Sequence, residues 1–220
     1  MSEHKIENES RSEVVYKKLL TAIQNGTFEP GTRIREVEMA ELFGISRTPV
    51  RDAIRRLESD GLLIHVPRQG AVIKKLERRE IIELYEIRQV LEGTAARYAA
   101  NHASTIEIDE LEMLNDIMLN SIKEPIKVAD SNRLFHKSLY QAANNRYLIS
   151  TLESLSHSMT LLGGTTLDTP ERIKEAYEEH LEIINAIKNK DEDKAEKSAQ
   201  RHIRNAQNLR MKMLLSKEME

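Results

Sequence analysis

Cysteine and tryptophan are absent from this chain, and phenylalanine and tyrosine together make up only 4% of its 220 residues. The first absence removes disulfides and thiol chemistry, and the scarcity of rings removes a stacking platform for single-stranded nucleic acid or a flat aromatic ligand. No run of about eighteen apolar residues exists to span a membrane, and Met1-Ser2-Glu3-His4-Lys5 lacks the apolar core of a secretory leader, so the expected location is the cytoplasm. Internal repeats, low-complexity tracts and a Gly-rich phosphate loop are missing too. No His-Glu-x-x-His, no Gly-x-Ser-x-Gly and no histidine with Glu three residues before it is found, which leaves three common routes to a bundle or hydrolase active site without their residues.

What remains is an ordinary globular composition, 40% hydrophobic and 31% charged, with a net charge of −3. The charge is unevenly placed. Residues 1–75 carry 13 Lys and Arg against 11 Asp and Glu, which leaves 20 against 25 for the rest. A slightly cationic first part and an anionic second part have the sign expected of a DNA-binding module joined to something else.

The first part is organised around Gly44-Ile45-Ser46-Arg47-Thr48-Pro49-Val50-Arg51-Asp52-Ala53-Ile54-Arg55-Arg56-Leu57. Gly44 ends a helix, Ser46 caps the next, and Pro49 sits in the first turn, where a missing N–H costs least. At the helical period Val50, Ala53, Ile54 and Leu57 form an apolar stripe, and Arg47, Arg51 and Arg55 a neighbouring cationic one. A cationic stripe alone is most often a solvated face; its surroundings point elsewhere. The segment Arg35–Phe43 is a short helix one tight turn upstream, and Leu62–Val66 and Ala71–Lys74 are strand-like runs about the basic tip Pro67-Arg68-Gln69-Gly70. With a first helix at about Ser12–Asn25, this predicts a winged helix-turn-helix.

Ser46-Arg47-Thr48-Pro49-Val50-Arg51-Asp52-Ala53-Ile54 with Leu57 and Asp60-Gly61-Leu62 closely resembles the signature of the GntR family of bacterial transcription regulators, and the match runs from about Arg11 to Lys75. The resemblance implies a recognition helix in the major groove and a wing at the minor groove or backbone. It places Arg47 and Arg51 on bases or phosphates and Gly70 where the wing approaches DNA; Arg33, Arg35, Thr48, Arg55 and Arg68 are further candidates. An arginine fork suits guanine O6 and N7 or a phosphate. One such helix reads few base pairs, so a homodimer on a palindromic operator is expected.

Beyond the charged connection Lys74–Glu80 the pattern becomes long helices, at about 78–101, 106–122, 126–143, 147–162, 170–188 and 192–217, with a domain boundary near residue 76. The fold class is thus mostly α, a winged helix-turn-helix over residues 1–75 and an all-helical bundle of about six helices over 76–220. His136, His180 and His202 lie on three of these helices, each within an apolar stripe. One such histidine is more often a hydrogen-bonded core residue, whereas three that converge make a metal site; spacing alone does not decide between them. His4, His65, His102 and His157 have no supporting context and are expected to be surface or structural.

Leu84-Tyr85-Glu86-Ile87-Arg88 with Leu91-Glu92, Phe135-His136-Lys137-Ser138-Leu139, Glu179-His180 and Arg201-His202-Ile203 resemble the FCD effector domain of the FadR-like branch of the same family over nearly all of 78–215. The resemblance implies a divalent metal held by an Asp-x-x-x-His pair and two further histidines, with a small carboxylate effector completing the coordination. His136, His180 and His202 match the histidines. The Asp of the pair is Asn132 here, which offers an oxygen but no charge, so zinc, nickel or manganese would be held less firmly. Asp130, six residues from His136, faces another side of the helix. The rival reading is a metal-free polar pocket for an anion. Arg88 is either the anchor of an effector carboxylate or the internal partner of Glu92. The expected function is a ligand-responsive DNA-binding regulator, a repressor released by a small organic acid; the alternative is a metal-dependent hydrolase bundle joined to a DNA-binding module.

Overall fold

The computed structural model describes residues 10–218, which form nine helices and three short strands. By compactness they divide into two units, one of residues up to Leu76 with His157–Gly164 and one of Glu77–Ser156 with Thr165 onward. His4 falls outside the described residues.

In the first unit α1 (Arg11–Gln24) starts at Ser10, whose hydroxyl accepts from the Glu13 N–H. Helix α2 (Glu36–Phe43) ends at Gly44, with φ of 65°, and the chain turns at once into α3 (Arg47–Ser59). Ser46 occupies the cap position of α3, but its hydroxyl makes no capping bond. Val50, Ala53, Ile54 and Leu57, the apolar stripe, are all buried, and they pack with Val15, Leu19 and Ile23 of α1 and with Leu62 and Leu63. Two strands, β2 (Leu63–Val66) and β3 (Gly70–Ile73), make the wing, with His65 opposite Ala71. Pattern reading missed a third strand, β1 (Arg33–Ile34), which pairs with the outer edge of β3. Two residues are too few to show an alternation, and the pairing depends on Gly31 donating to the Ile73 carbonyl, a long-range contact.

The second unit is a bundle of α4 (Arg78–His102), α5 (Thr105–Asn120), α6 (Pro125–Ala142), α7 (Arg146–Thr160, whose last turn belongs to the first unit), α8 (Pro170–Lys188) and α9 (Glu192–Glu218). Reciprocal capping boxes start α4 at Glu77 and Glu80 and α5 at Ser104 and Glu107, and Pro125 and Pro170 open α6 and α8. The long α4 and α9 lie close together because Gly93 has no side chain: a Cβ there would come within 2.7 Å of Gln200 Cγ. The core is built from alanines of α4 and α9 around Phe135, Leu139, Ile183 and Ile187.

Candidate functional site

The arginines of α3 stand in solvent beside its buried stripe, as do Thr48, Arg33, Arg35 and Arg68; Gly70 is half-buried at the tip of the wing. Arg68 and Gly70 both take positive φ, 66° and 86°, which folds the tip back sharply. Arg47 and Arg51 are not independent of one another. Arg51 donates through Nε and Nη2 to the two oxygens of Glu36, at 2.8 and 2.9 Å, and Arg47 Nη2 reaches the same carboxylate at 3.3 Å. The Arg51 hydrogen bond holds the Glu36 carboxyl below its ordinary range. Arg35 pairs with Glu38. Glu36, which the sequence reading passed over, ties α2 to the cationic stripe across fifteen residues.

In the bundle, α6, α8 and α9 bring His136, His180 and His202 together in the interior, all three buried. Their ligand atoms lie within 4.8 Å of one another. His180 Nε2 and His136 Nε2 are each 3.4 Å from His202 Nε2. The opposite ring atoms are all engaged: His136 Nδ1 with Glu92 at 2.7 Å, His202 Nδ1 with Glu179 at 2.6 Å, His180 Nδ1 with Asn115 Oδ1 at 3.0 Å. The amide of Asn115 is oriented by its own donation to the Tyr177 carbonyl, so its oxygen faces His180 and can only accept. This arrangement suits the tautomer with the proton on Nδ1, which turns each Nε2 lone pair toward the other two rings. With the outer nitrogens engaged, the three Nε2 atoms are left facing one another, and imidazoles fixed by outer hydrogen bonds are a suitable donor set for a transition metal. Burial, and then the neighbouring imidazoles, push His180 below its usual value, and burial lowers His202 as well, so both are kept neutral as ligands must be.

Two carboxylates, Glu92 buried and Glu179 half-buried, support the cluster. Burial alone would raise Glu92, but the guanidinium of Arg88 and the His136 ring outweigh it and hold the carboxyl far below its normal range. Arg88 donates to Glu92 across one helical turn, so the internal ion pair is what forms. Glu179 is held at about 2: burial opposes the shift, and the bonds from His202 and Arg172 produce it. Arg172 reaches it through both terminal nitrogens, at 3.1 and 3.0 Å. The ring of Phe135 stacks on His180 with centroids 3.8 Å apart. Asn132 is half-buried one turn before His136. His102 Nδ1 meets the Ala143 carbonyl, and His65 is exposed beside Glu58. Asn115 and Glu179 were invisible as site residues, since neither spacing nor composition links them to a histidine on another helix.

Comparison with known proteins agrees with this architecture. Residues 11–73 match the model of bacterial regulatory proteins of the gntR family, and residues 83–205 match the FCD domain. The chain is 32% identical to the HTH-type transcriptional regulator YdhC of Bacillus subtilis over 190 residues, 85% of either protein. It is 30% identical to the gluconate operon transcriptional repressor of Bacillus licheniformis over 210 residues, covering 90% of this chain and 84% of the repressor. Escherichia coli McbR/YncC shares the fold, with a TM-score of 0.81 at 24% identity, over 93% of this chain and 99% of that one. The relatives are transcription regulators, so the hydrolase alternative finds no support. No helix among the described residues is long and apolar enough to cross a membrane. The chain belongs to the GntR family of bacterial regulatory proteins, with an FCD domain as its helical part, and is a ligand-responsive DNA-binding transcription regulator.

Proposed function

We propose that this regulator is a cytoplasmic homodimeric repressor that leaves a palindromic operator when a small organic acid binds its helical domain at a divalent metal. In this reading residues 1–75 bind DNA and residues 76–220 carry effector binding and dimerisation. Arg47 and Arg51 contact bases or phosphates, helped by Arg33, Arg35, Thr48, Arg55 and Arg68, and Gly70 lets the wing come close. The observation that carries the effector half is the convergence of three Nε2 lone pairs whose outer nitrogens are all fixed.

His136, His180 and His202 would hold the ion, with Asn132 as an uncharged fourth donor. A bound zinc, nickel or manganese ion supplies a Lewis-acid position for an effector carboxylate. The chain does the rest: Glu92, Asn115 and Glu179 keep the three rings aimed, and Phe135 fixes the plane of His180. Arg88, whose Nε is taken by Glu92, offers its remaining nitrogens to the effector. Effector binding then biases the relative placement of two winged modules in the dimer.

The test is elemental analysis of protein purified without chelator or metal-affinity chromatography, repeated on His136→Ala. About one metal per chain that is lost in the variant supports the reading. No metal in either protein, with small carboxylates still releasing DNA, overturns the metal and leaves a pocket that binds anions directly.

A further inference from the structure

Glu36 is an unexpected residue on a surface meant for DNA. It opens α2, is half-buried, and places its carboxylate against the two arginines assigned to reading. Exposed ion pairs of this kind contribute little to stability, about 0–1 kcal/mol, and a carboxylate near the phosphate backbone repels it. Neither folding nor plain attraction to DNA accounts for its place.

The geometry has a different consequence. Arg51 presents Nε and Nη2 side by side, and both donors are already spent on one carboxylate. To bring this pair of donors to DNA, Arg51 must exchange two charge-assisted bonds for two others and leave Glu36 behind beside the duplex. The exchange is even when the acceptors are the paired O6 and N7 of a guanine held by a fully docked helix. It is unfavourable for a single phosphate oxygen met in passing. We propose that Glu36 is a specificity-determining residue, which withholds Arg47 and Arg51 from indiscriminate phosphate contact and yields Arg51 to a guanine edge. This rests on α3 being the reading helix.

The test uses the full-length protein, a random-sequence duplex pool, and the duplex recovered from that pool by repeated selection with wild type. Affinity for each is measured by fluorescence anisotropy over a series of salt concentrations. Glu36→Gln keeps the shape but lacks the charge; it is expected to bind the random pool about fivefold more tightly at physiological salt for each arginine freed to a phosphate, with a log–log salt slope steeper by about one. The preference for the selected duplex over the pool should fall in proportion. In the Glu36→Gln/Arg51→Ala double variant the share of this gain that comes from Arg51 should disappear. Matching circular dichroism and urea midpoints show that Glu36→Gln is folded.

A folded Glu36→Gln whose affinity for the pool is unchanged or weaker, or whose preference is undiminished, overturns the proposal. The assignment of α3 fails separately: Arg47→Ala and Arg51→Ala both binding the selected duplex as wild type does would overturn the reader itself. Loss in Arg51→Ala with no change in Glu36→Gln removes only the role given to Glu36.

Discussion

Replacing Glu92 by glutamine changes one oxygen to a nitrogen and should uncouple the histidine cluster from its support. Arg88 donates to one carboxylate oxygen of Glu92 and His136 Nδ1 to the other at 2.7 Å, with Glu92 itself 1% exposed. Glutamine has one acceptor oxygen, so one of these donors must face an NH2 group. If Arg88 loses, a guanidinium 13% exposed is left without its counter-charge, and breaking such a buried pair costs about 3–5 kcal/mol. If His136 loses, its proton moves to Nε2, into the space the three rings share, and one lone pair is gone. Either way zinc affinity should fall roughly 10–100-fold, the usual effect of losing an outer partner of a ligand. Urea unfolding in excess chelator measures the first effect, and competition with a chromophoric zinc chelator the second. The double variant Arg88→Met/Glu92→Leu separates them: apolar replacement of the whole pair should restore stability, while His136 still lacks its acceptor. Wild-type zinc affinity in Glu92→Gln, with unchanged stability, would refute the reasoning.

Other consequences follow from the same geometry. Arg51→Ala, and likewise Arg47→Ala, should weaken operator binding roughly tenfold or more while the urea midpoint and oligomeric state stay as in wild type; unchanged affinity in both variants would remove α3 as the reader. His180→Ala should abolish the response to effector more than it harms DNA binding, checked by operator release across a panel of small carboxylates. Tyr16 is held at about 12 by burial and by its hydrogen bond to Asp60 at 2.7 Å. Its folded value lies above the unfolded one, so this support is complete below pH 10 and is lost as the pH rises through 12. The difference in urea midpoint between wild type and Tyr16→Phe should therefore shrink from pH 8 to pH 11; a constant difference would dissociate Tyr16 from alkaline unfolding.

The helices were legible because their signals are local. Ser104 with Glu107, Pro125, Pro170 and Gly44 fix boundaries within a few residues, and burial of Val50, Ala53, Ile54 and Leu57 follows from a 3.6-residue period. The three histidines could be marked as inward-facing, but their meeting depends on how α6, α8 and α9 pack, which no spacing within one helix encodes. Arg88 and Glu92 sit four apart, so their pairing was visible as an option; that Glu92 also serves His136, forty-four residues away, was not. The same limit hid Glu36, fifteen residues before Arg51, and the two-residue strand β1. Local chemistry names candidates, and tertiary packing chooses their partners.

Charge around the cluster adds a constraint that distance alone does not. Glu92 is offset by Arg88 and Glu179 by Arg172, so each supporting carboxylate already faces a guanidinium, and the imidazoles of His180 and His202 are kept neutral. Asn132 contributes no charge where the resembling pattern has aspartate. A dication entering this environment brings two positive charges that the chain leaves unmatched, and an incoming carboxylate is the group that would match them. Metal and acid should then each strengthen the binding of the other by the same factor, as linkage requires. Asn132→Asp supplies part of the missing charge from within. It should raise zinc affinity in the absence of any acid, by roughly tenfold for about 1.4 kcal/mol of added attraction, and should reduce the further gain produced by a non-chelating monocarboxylate such as acetate. Zinc titrations of both proteins with and without acetate measure the two factors directly. If acetate strengthens zinc binding equally in Asn132→Asp and wild type, the missing charge at position 132 is not what draws the acid to the site.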